Sequence, residues 1–195
     1  MDVLNRKDGM ELRKLTKEQV KDVYNERMKF DFPRSELKPL EMIYKGMDND
    51  YYECLGLYED DKLIGYDFMV KHENDYLVDY IATLPELRNK GLGARLLELI
   101  AEYTPEADTI IGEVEDPDYT KDADMKNLQA RRLGFYLRNG ILDTGVKAVC
   151  FGVHFKILEM NMGMKHSEEH IRELYRMHYK MLLPPKMYEE NIVVL

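Results

Sequence analysis

The sequence lacks the features that define disulfide-rich, zinc-binding, membrane-spanning and secreted proteins. It has only two cysteines, Cys54 and Cys150, in 195 residues, and no framework of spaced cysteine pairs. No segment approaches the ~18 to 20 uninterrupted apolar residues that a membrane span requires. The first residues, MDVLNRKDGMELRKL, lack the apolar core of a signal peptide. We therefore expect a cytoplasmic protein that binds neither a metal nor a membrane.

The sequence also lacks an excess of positive charge. It has 28 lysines and arginines against 37 aspartates and glutamates, which gives a net charge of −9, and no concentrated basic run. Nucleic-acid binding needs such a run to neutralise phosphates, so we expect no nucleic-acid partner. An acidic protein can attract a cationic small molecule, although net charge alone indicates only solubility.

The N-terminal part has the pattern of a strand followed by two helices. Residues 10–15 alternate like a short strand, and Thr16 begins a capping-box pattern for a helix through about Phe30. A second helix is expected over about residues 39–45. Gly46 is in position to end it.

The central part predicts an antiparallel meander followed by a crossover. The runs YYECLGLYE, KLIGYDFMVK and YLVDYIATL are strand-like and are joined by short polar connections. An apolar stripe at helical spacing follows over Leu92 to Tyr103, and then a strand over Thr109 to Glu115. Strand, helix and strand form a right-handed crossover unit if the two strands are parallel and adjacent.

The C-terminal part adds helices and closing strands. DADMKNLQARRLGFYLRN predicts a helix stopped by Gly140, and VKAVCFGVHFKILEM predicts one or two strands. Ser167 caps an extra C-terminal helix at about residues 167–183, which two prolines terminate. We find no repeats, low-complexity tracts or flexible linkers, so we expect a single domain over residues 1–195. The fold class is α+β, a mixed sheet with helices on its faces.

The segment RNKGLG, Arg88 to Gly93, has the composition of an anion-binding turn. Its glycines could simply form a turn into a helix. A Walker loop is excluded because Gly93 is followed by Ala94-Arg95, and a dinucleotide fingerprint is excluded because Leu96 stands where its third glycine belongs. Backbone N–H groups at a helix N-terminus bind anions, and glycines let phosphate oxygens approach them.

Two motifs in order resemble the GNAT superfamily of N-acetyltransferases. LVDYIATLPELRNKGLGARLLELI resembles its acyl-CoA-binding core, a strand followed by Arg/Gln-x-x-Gly-x-Gly/Ala and a helix. RRLGFYLRNGI resembles its second signature, and the resemblance covers roughly Met10 to Glu159. It implies the GNAT fold, with a mixed, mostly antiparallel central sheet and helices on both faces. It also implies transfer of an acetyl group from acetyl-CoA to a primary amine.

The resemblance assigns the coenzyme site mainly to backbone groups. The strand before the loop would pair with the pantetheine arm through Ile81, Ala82 and Thr83. The diphosphate would lie on the N–H groups of a run of seven residues: Arg88, Asn89, Lys90, Gly91, Leu92, Gly93 and Ala94. Many family members also contact the coenzyme through an asparagine seven residues before the motif tyrosine. That position is Gln129 here, while Asn127 lies two residues earlier, and either amide could serve.

The resemblance assigns the catalytic acid to Tyr136, which would protonate the departing thiolate. The alternative is a tyrosine packed in the core beside Phe135. A base must also remove a proton from the ammonium before the amine can attack. Asp79 and Glu115 are the favoured carboxylates, Glu113 is a further candidate, and a water relay is an alternative.

The acceptor is an unidentified small-molecule or peptide amine. The acidic segment EVEDPDYTKDAD suits a cationic amine, and it equally suits a solvated loop. A rival function is an acyl-CoA-binding regulatory module without turnover, and a third is a structural protein in which RNKGLG is incidental. The apolar face of the last helix could pack on its own domain, cover the acceptor cleft or contact a second subunit. The first is favoured, and a homodimer stays open.

Overall fold

The computed structural model describes residues 9–34, 36–88, 90–161 and 165–195. The chain groups into two units. The first extends to Lys71 and resumes over Val78–Glu106, and the second comprises His72–Leu77 and Ala107–Leu195. The single domain predicted for the whole chain stays a prediction.

The strands of the first unit form the predicted antiparallel meander. β1 (Met10–Lys14) pairs with β2 (Tyr52–Glu59), and β2 pairs with β3 (Lys62–His72). The DD sequence between β2 and β3 forms a tight turn in which both aspartates have positive φ, as a type I′ hairpin requires. β4 (Asp75–Thr83) follows β3 after a two-residue turn and lies next to it.

The first helical segment is continuous but contains a π-helical turn. α1 (Lys17–Val23) begins at Thr16 with the predicted capping box, passes through a π segment (Tyr24–Met28) and ends as α2 (Lys29–Asp31). A regular helix would place Met28 about 110° around the axis from the buried face that Val20 and Val23 share. The wider turn reduces that angle, and Met28 is fully buried.

The second predicted helix is longer than its sequence pattern indicated. α3 spans Leu40–Asp48, so Gly46 lies inside the helix and does not end it. A Cβ at Gly46 would lie 2.5 Å from the Cβ of Tyr52. The glycine is therefore needed for close packing of the helix on β2. α4 (Leu92–Tyr103) completes the first unit and buries its predicted apolar stripe.

The second unit is an antiparallel sheet with three helices. β5 (Thr109–Glu115) pairs with β7 (Val153–Glu159), which pairs with β6 (Leu142–Cys150). α5 (Ala123–Arg138) precedes β6, and the predicted C-terminal helix is present as α6 (Glu168–Leu182). The second of the two prolines begins α7 (Pro185–Asn191), which is followed by β8 (Ile192–Val194). Neither element was predicted, and β8 pairs with β6.

None of the helices in the described parts of the chain is long and apolar enough to cross a membrane.

Candidate active site

The glycine loop forms a sharp turn directly into α4. After β4 ends at Thr83, Pro85–Leu87 makes one 3₁₀ turn, and Gly91 then acts as the N-cap of α4 with φ of 81°. This left-handed conformation costs a residue with a Cβ roughly 1 to 2 kcal/mol more than glycine. The N–H group of Arg95 donates to the carbonyl oxygen of Gly91 at 3.1 Å and starts the helical ladder.

The start of α4 differs from those of α1, α5 and α6. Those three helices begin at Thr16, Asp122 and Ser167, whose side chains accept hydrogen bonds from first-turn N–H groups. The N-cap glycine of α4 has no side chain to do so, and the first turn contains no acidic residue. The first-turn amides of α4 are therefore suited to an external anion.

The cationic side chains of the loop are at the surface. Arg88 is exposed, and its Nη2 donates to Oδ1 of Asp31 at 3.4 Å. Lys90 is also exposed, whereas Asn89 lies outside the described residues. Ile81, Ala82 and Thr83, at the end of β4, are half-buried.

Asp79 is held in a buried network. Its side chain is 3% exposed, Lys38 Nζ lies 2.5 Å from Oδ1, and the Tyr52 hydroxyl donates to Oδ2. Burial and the nearby Asp79 charge raise the pKa of Tyr52 well above its ordinary value. Both carboxylate oxygens of Asp79 therefore already accept hydrogen bonds from the chain itself.

Glu115 contacts α5, the helix that carries Tyr136. Glu115, at the end of β5, forms an ion pair with Arg132, and Tyr136 lies one helical turn beyond that arginine. Tyr136 is half-buried, and its ring packs edge-on against Phe135 with centroids 5.3 Å apart. Arg132 thus links Glu115 to the helix that carries Tyr136.

Glu113 is bound by the C-terminal helix. The hydroxyl of Tyr175 donates to Oε1 at 2.5 Å, and that of Tyr179 donates to Oε2 at 2.8 Å. Both tyrosines are buried. Glu113 therefore anchors α6 to β5, and both of its carboxylate oxygens already accept hydrogen bonds.

The two candidate amides on α5 have different environments. Gln129 is buried, and its Oε1 accepts a hydrogen bond from the Thr120 hydroxyl at 2.7 Å. Asn127 is exposed. The structure gives Gln129 a role in holding the loop before α5 and leaves Asn127 accessible to a ligand.

In the acidic segment after β5, Asp116 is paired with a lysine. Asp116 is buried, and Lys147 Nζ lies 2.7 Å from its Oδ2. Burial alone would raise the pKa of Asp116, but the hydrogen bonds from Lys147 and from the N–H group of Asp118 lower it below its ordinary value. In the described part of the chain, no group of three or more His, Cys, Asp or Glu side chains is placed to hold a metal ion.

Sequence reasoning missed the partners of the charged site residues. Lys38, Asp31 and Arg132 contact Asp79, Arg88 and Glu115 respectively, across separations that no local pattern reveals. One local signal was available but unused. Asp67 interrupts the apolar run of β3 and is fully buried.

Comparisons with known proteins agree with this geometry. Residues 50–140 match the model of the acetyltransferase (GNAT) domain. A GNAT-family acetyltransferase from Bacteroides thetaiotaomicron is 22% identical with a TM-score of 0.68, covering 88% of this chain and 98% of its own. The ribosomal-protein-S18-alanine N-acetyltransferase from Escherichia coli is 14% identical with a TM-score of 0.57, covering 82% and 97%. An acetyltransferase from Bacillus subtilis in complex with CoA is 18% identical with a TM-score of 0.51, covering 77% and 95%. No curated protein sequence matches the chain.

Proposed function

We propose that the protein transfers an acetyl group from acetyl-CoA to a primary amine by direct attack, because residues 50–140 match the model of the acetyltransferase (GNAT) domain. The domain match confirms the family and the acyltransferase class, and the fold matches confirm the α+β GNAT fold. The observation that carries the proposal is the uncapped start of α4 behind a left-handed glycine. We also propose a cytoplasmic location.

The loop suits the diphosphate of coenzyme A. The first-turn N–H groups of α4 point along the helix axis toward its start, where the helix dipole favours negative charge. Gly91 leaves that approach open, because even a Cβ there would have no neighbour within 4 Å. Arg88 adds donors in a fork that matches phosphate oxygens. The backbone of Ile81, Ala82 and Thr83 would pair with the pantetheine arm.

Tyr136 is the proposed acid and Glu115 the preferred base. A phenol with a pKa near 10 can protonate a thiolate only when the site positions it, and a half-buried place on α5 limits its motion. Glu115 is preferred to Asp79 because its partner, Arg132, is exposed on a helix surface and can move away. Asp79 is buried and contacts both Lys38 and Tyr52, and we assign it a structural role.

The acceptor is proposed to be a small-molecule or peptide amine, and it need not be a polycation. A polycation would need a net acidic surface. Around the end of β5, Asp116 and Glu115 are each paired with a cation of the chain itself, which reduces that attraction.

A second candidate function is an acyl-CoA-binding module without turnover. One observation favours it, since both proposed bases, Asp79 and Glu115, form ion pairs in the structure. Each ion pair occupies a carboxylate oxygen that would have to accept the proton of the amine.

A thiol-release assay with acetyl-CoA and a panel of amines separates the two functions. The panel should contain a short peptide with a free N-terminus, a lysine peptide, a monoamine and a polyamine. Transfer to at least one amine, lost in Tyr136→Phe, supports the enzyme. Tight binding of acetyl-CoA with no release of CoA for any amine would favour the binding module.

A further inference from the structure

Asp31 occupies a position that is unfavourable for the helix that carries it. It is the last residue of α2, where the helix dipole is negative and an acidic side chain is normally destabilising. Its side chain is nevertheless only 7% exposed. A buried carboxylate at this end needs partners that compensate both effects.

Two partners hold the carboxylate of Asp31 between β3 and the glycine loop. The hydroxyl of Tyr66, a fully buried residue of β3, donates to Oδ2 at 2.9 Å. Arg88 Nη2 donates to Oδ1 at 3.4 Å. One oxygen is thus fixed to the sheet and the other faces the loop.

We propose that Asp31 is a positioning residue for coenzyme binding, which orients the guanidinium of Arg88 toward the diphosphate. This inference rests on the proposed function of the loop. Arg88 belongs to the motif, but its side chain is 54% exposed and would lose considerable rotamer freedom on binding a phosphate. A carboxylate fixed by Tyr66 removes part of that cost before the coenzyme arrives.

The geometry favours positioning over competition with the coenzyme. The contact uses one of the two terminal nitrogens of Arg88 and is long, at 3.4 Å. A guanidinium has five N–H donors, so the remaining donors can bind phosphate oxygens while the contact with Asp31 persists. The hydrogen bond from Tyr66 need not break at any stage.

Calorimetric titration with CoA of four proteins tests the inference. They are the wild type, Asp31→Asn, Arg88→Gln and the double variant. Asparagine keeps the shape of the side chain and an oxygen that accepts from Tyr66, while it removes the charge that orients Arg88. We expect Asp31→Asn to raise the Kd for CoA by roughly three- to tenfold, from the cost of ordering one long side chain. On the Arg88→Gln background the same change should have no effect.

Asp61→Asn is the matched control. Asp61 also forms an ion pair with an arginine of the first unit, Arg13, at 2.8 Å. Within the described residues, no contact joins Asp61 to the glycine loop. Its replacement should therefore leave the Kd for CoA unchanged.

Three results would overturn the inference. The first is an unchanged Kd in Asp31→Asn, and the second is an equal loss of affinity with and without Arg88, which would indicate a purely structural role. If Asp31→Asn does not fold, Tyr66→Phe replaces it in the same cycle, and an unchanged Kd there overturns the inference too. Failure of the wild type to bind CoA is a different outcome, because it contradicts the proposed function itself.

Discussion

Replacing Asp67 with asparagine should stabilise the protein, by an amount that increases with pH. Asp67 lies in the middle of β3 with no exposed surface, and neither of its carboxylate oxygens has a hydrogen-bond partner among the residues that the structure describes. Its cross-strand neighbour on β2 is Leu55. Burial, and to a smaller extent the charge of Glu53, raise the pKa of Asp67 well above its ordinary value. At pH values between the unfolded and the folded pKa, the side chain is therefore protonated in the folded protein and ionised in the unfolded chain.

The size of the effect follows from proton linkage. Because the pKa of Asp67 is raised on folding, its favourable contribution is complete below the unfolded pKa of about 3.9 and is lost as the pH rises toward the folded pKa. Over that window the free energy of unfolding falls by about 1.4 kcal/mol per pH unit relative to a variant without the carboxyl group. Between pH 4.5 and pH 6.5 the advantage of Asp67→Asn should therefore grow with pH, at a slope of at most roughly 1.4 kcal/mol per pH unit. The unpaired amide has a burial cost of its own, but that cost does not depend on pH.

Urea unfolding of the two proteins at pH 4.5, 5.5 and 6.5 measures this difference directly. Asp60→Asn, at an exposed turn position with positive φ that asparagine tolerates, is the control and should show no such trend. A stability difference between Asp67→Asn and the wild type that stays constant over this pH range would refute the reasoning. It would mean that Asp67 ionises normally in the folded state.

Three further predictions concern the loop, the acid and the C-terminal helix. Gly91→Glu and Gly91→Gln share the same backbone strain, so the glutamate variant should bind CoA at least about tenfold more weakly by calorimetry, through repulsion of the diphosphate alone; equal affinities would contradict the loop assignment. Tyr136→Phe should lower kcat and leave the KM for acetyl-CoA nearly unchanged, and an unchanged kcat with chemistry rate-limiting would exclude the acid role. Tyr175→Phe should lower the free energy of unfolding by about 1.5 to 3 kcal/mol in urea, because it removes a buried hydrogen bond to a carboxylate; a loss under about 0.5 kcal/mol would show that Glu113 does not anchor the helix.

The features that the sequence predicted are those with short-range causes. The meander follows from alternating apolar residues and from the Asp60–Asp61 turn, where aspartate accepts a left-handed backbone. The helix starts at Thr16 and Ser167 follow from side chains that cap their own first turn. The turn at Gly91 could be predicted because the loop motif requires a residue without a Cβ at this position.

The features that it did not predict depend on contacts between distant segments. Gly46 has the signal of a helix end, but the approach of Tyr52 decides its role. The π turn that ends at Met28 places that residue in the core, which local propensity does not encode. The ion pair of Asp79 with Lys38 joins residues 41 positions apart, and no periodicity relates them.

The central claim is that the uncapped start of α4 binds the diphosphate of coenzyme A. Calorimetric titration of the purified protein with CoA, repeated at two salt concentrations, tests it most directly. We predict saturable one-to-one binding that weakens as the ionic strength rises, since the contacts are between phosphates and exposed cations. Absence of binding by folded protein would show that the glycines of RNKGLG serve only as a turn, and the proposed catalysis would be contradicted with it.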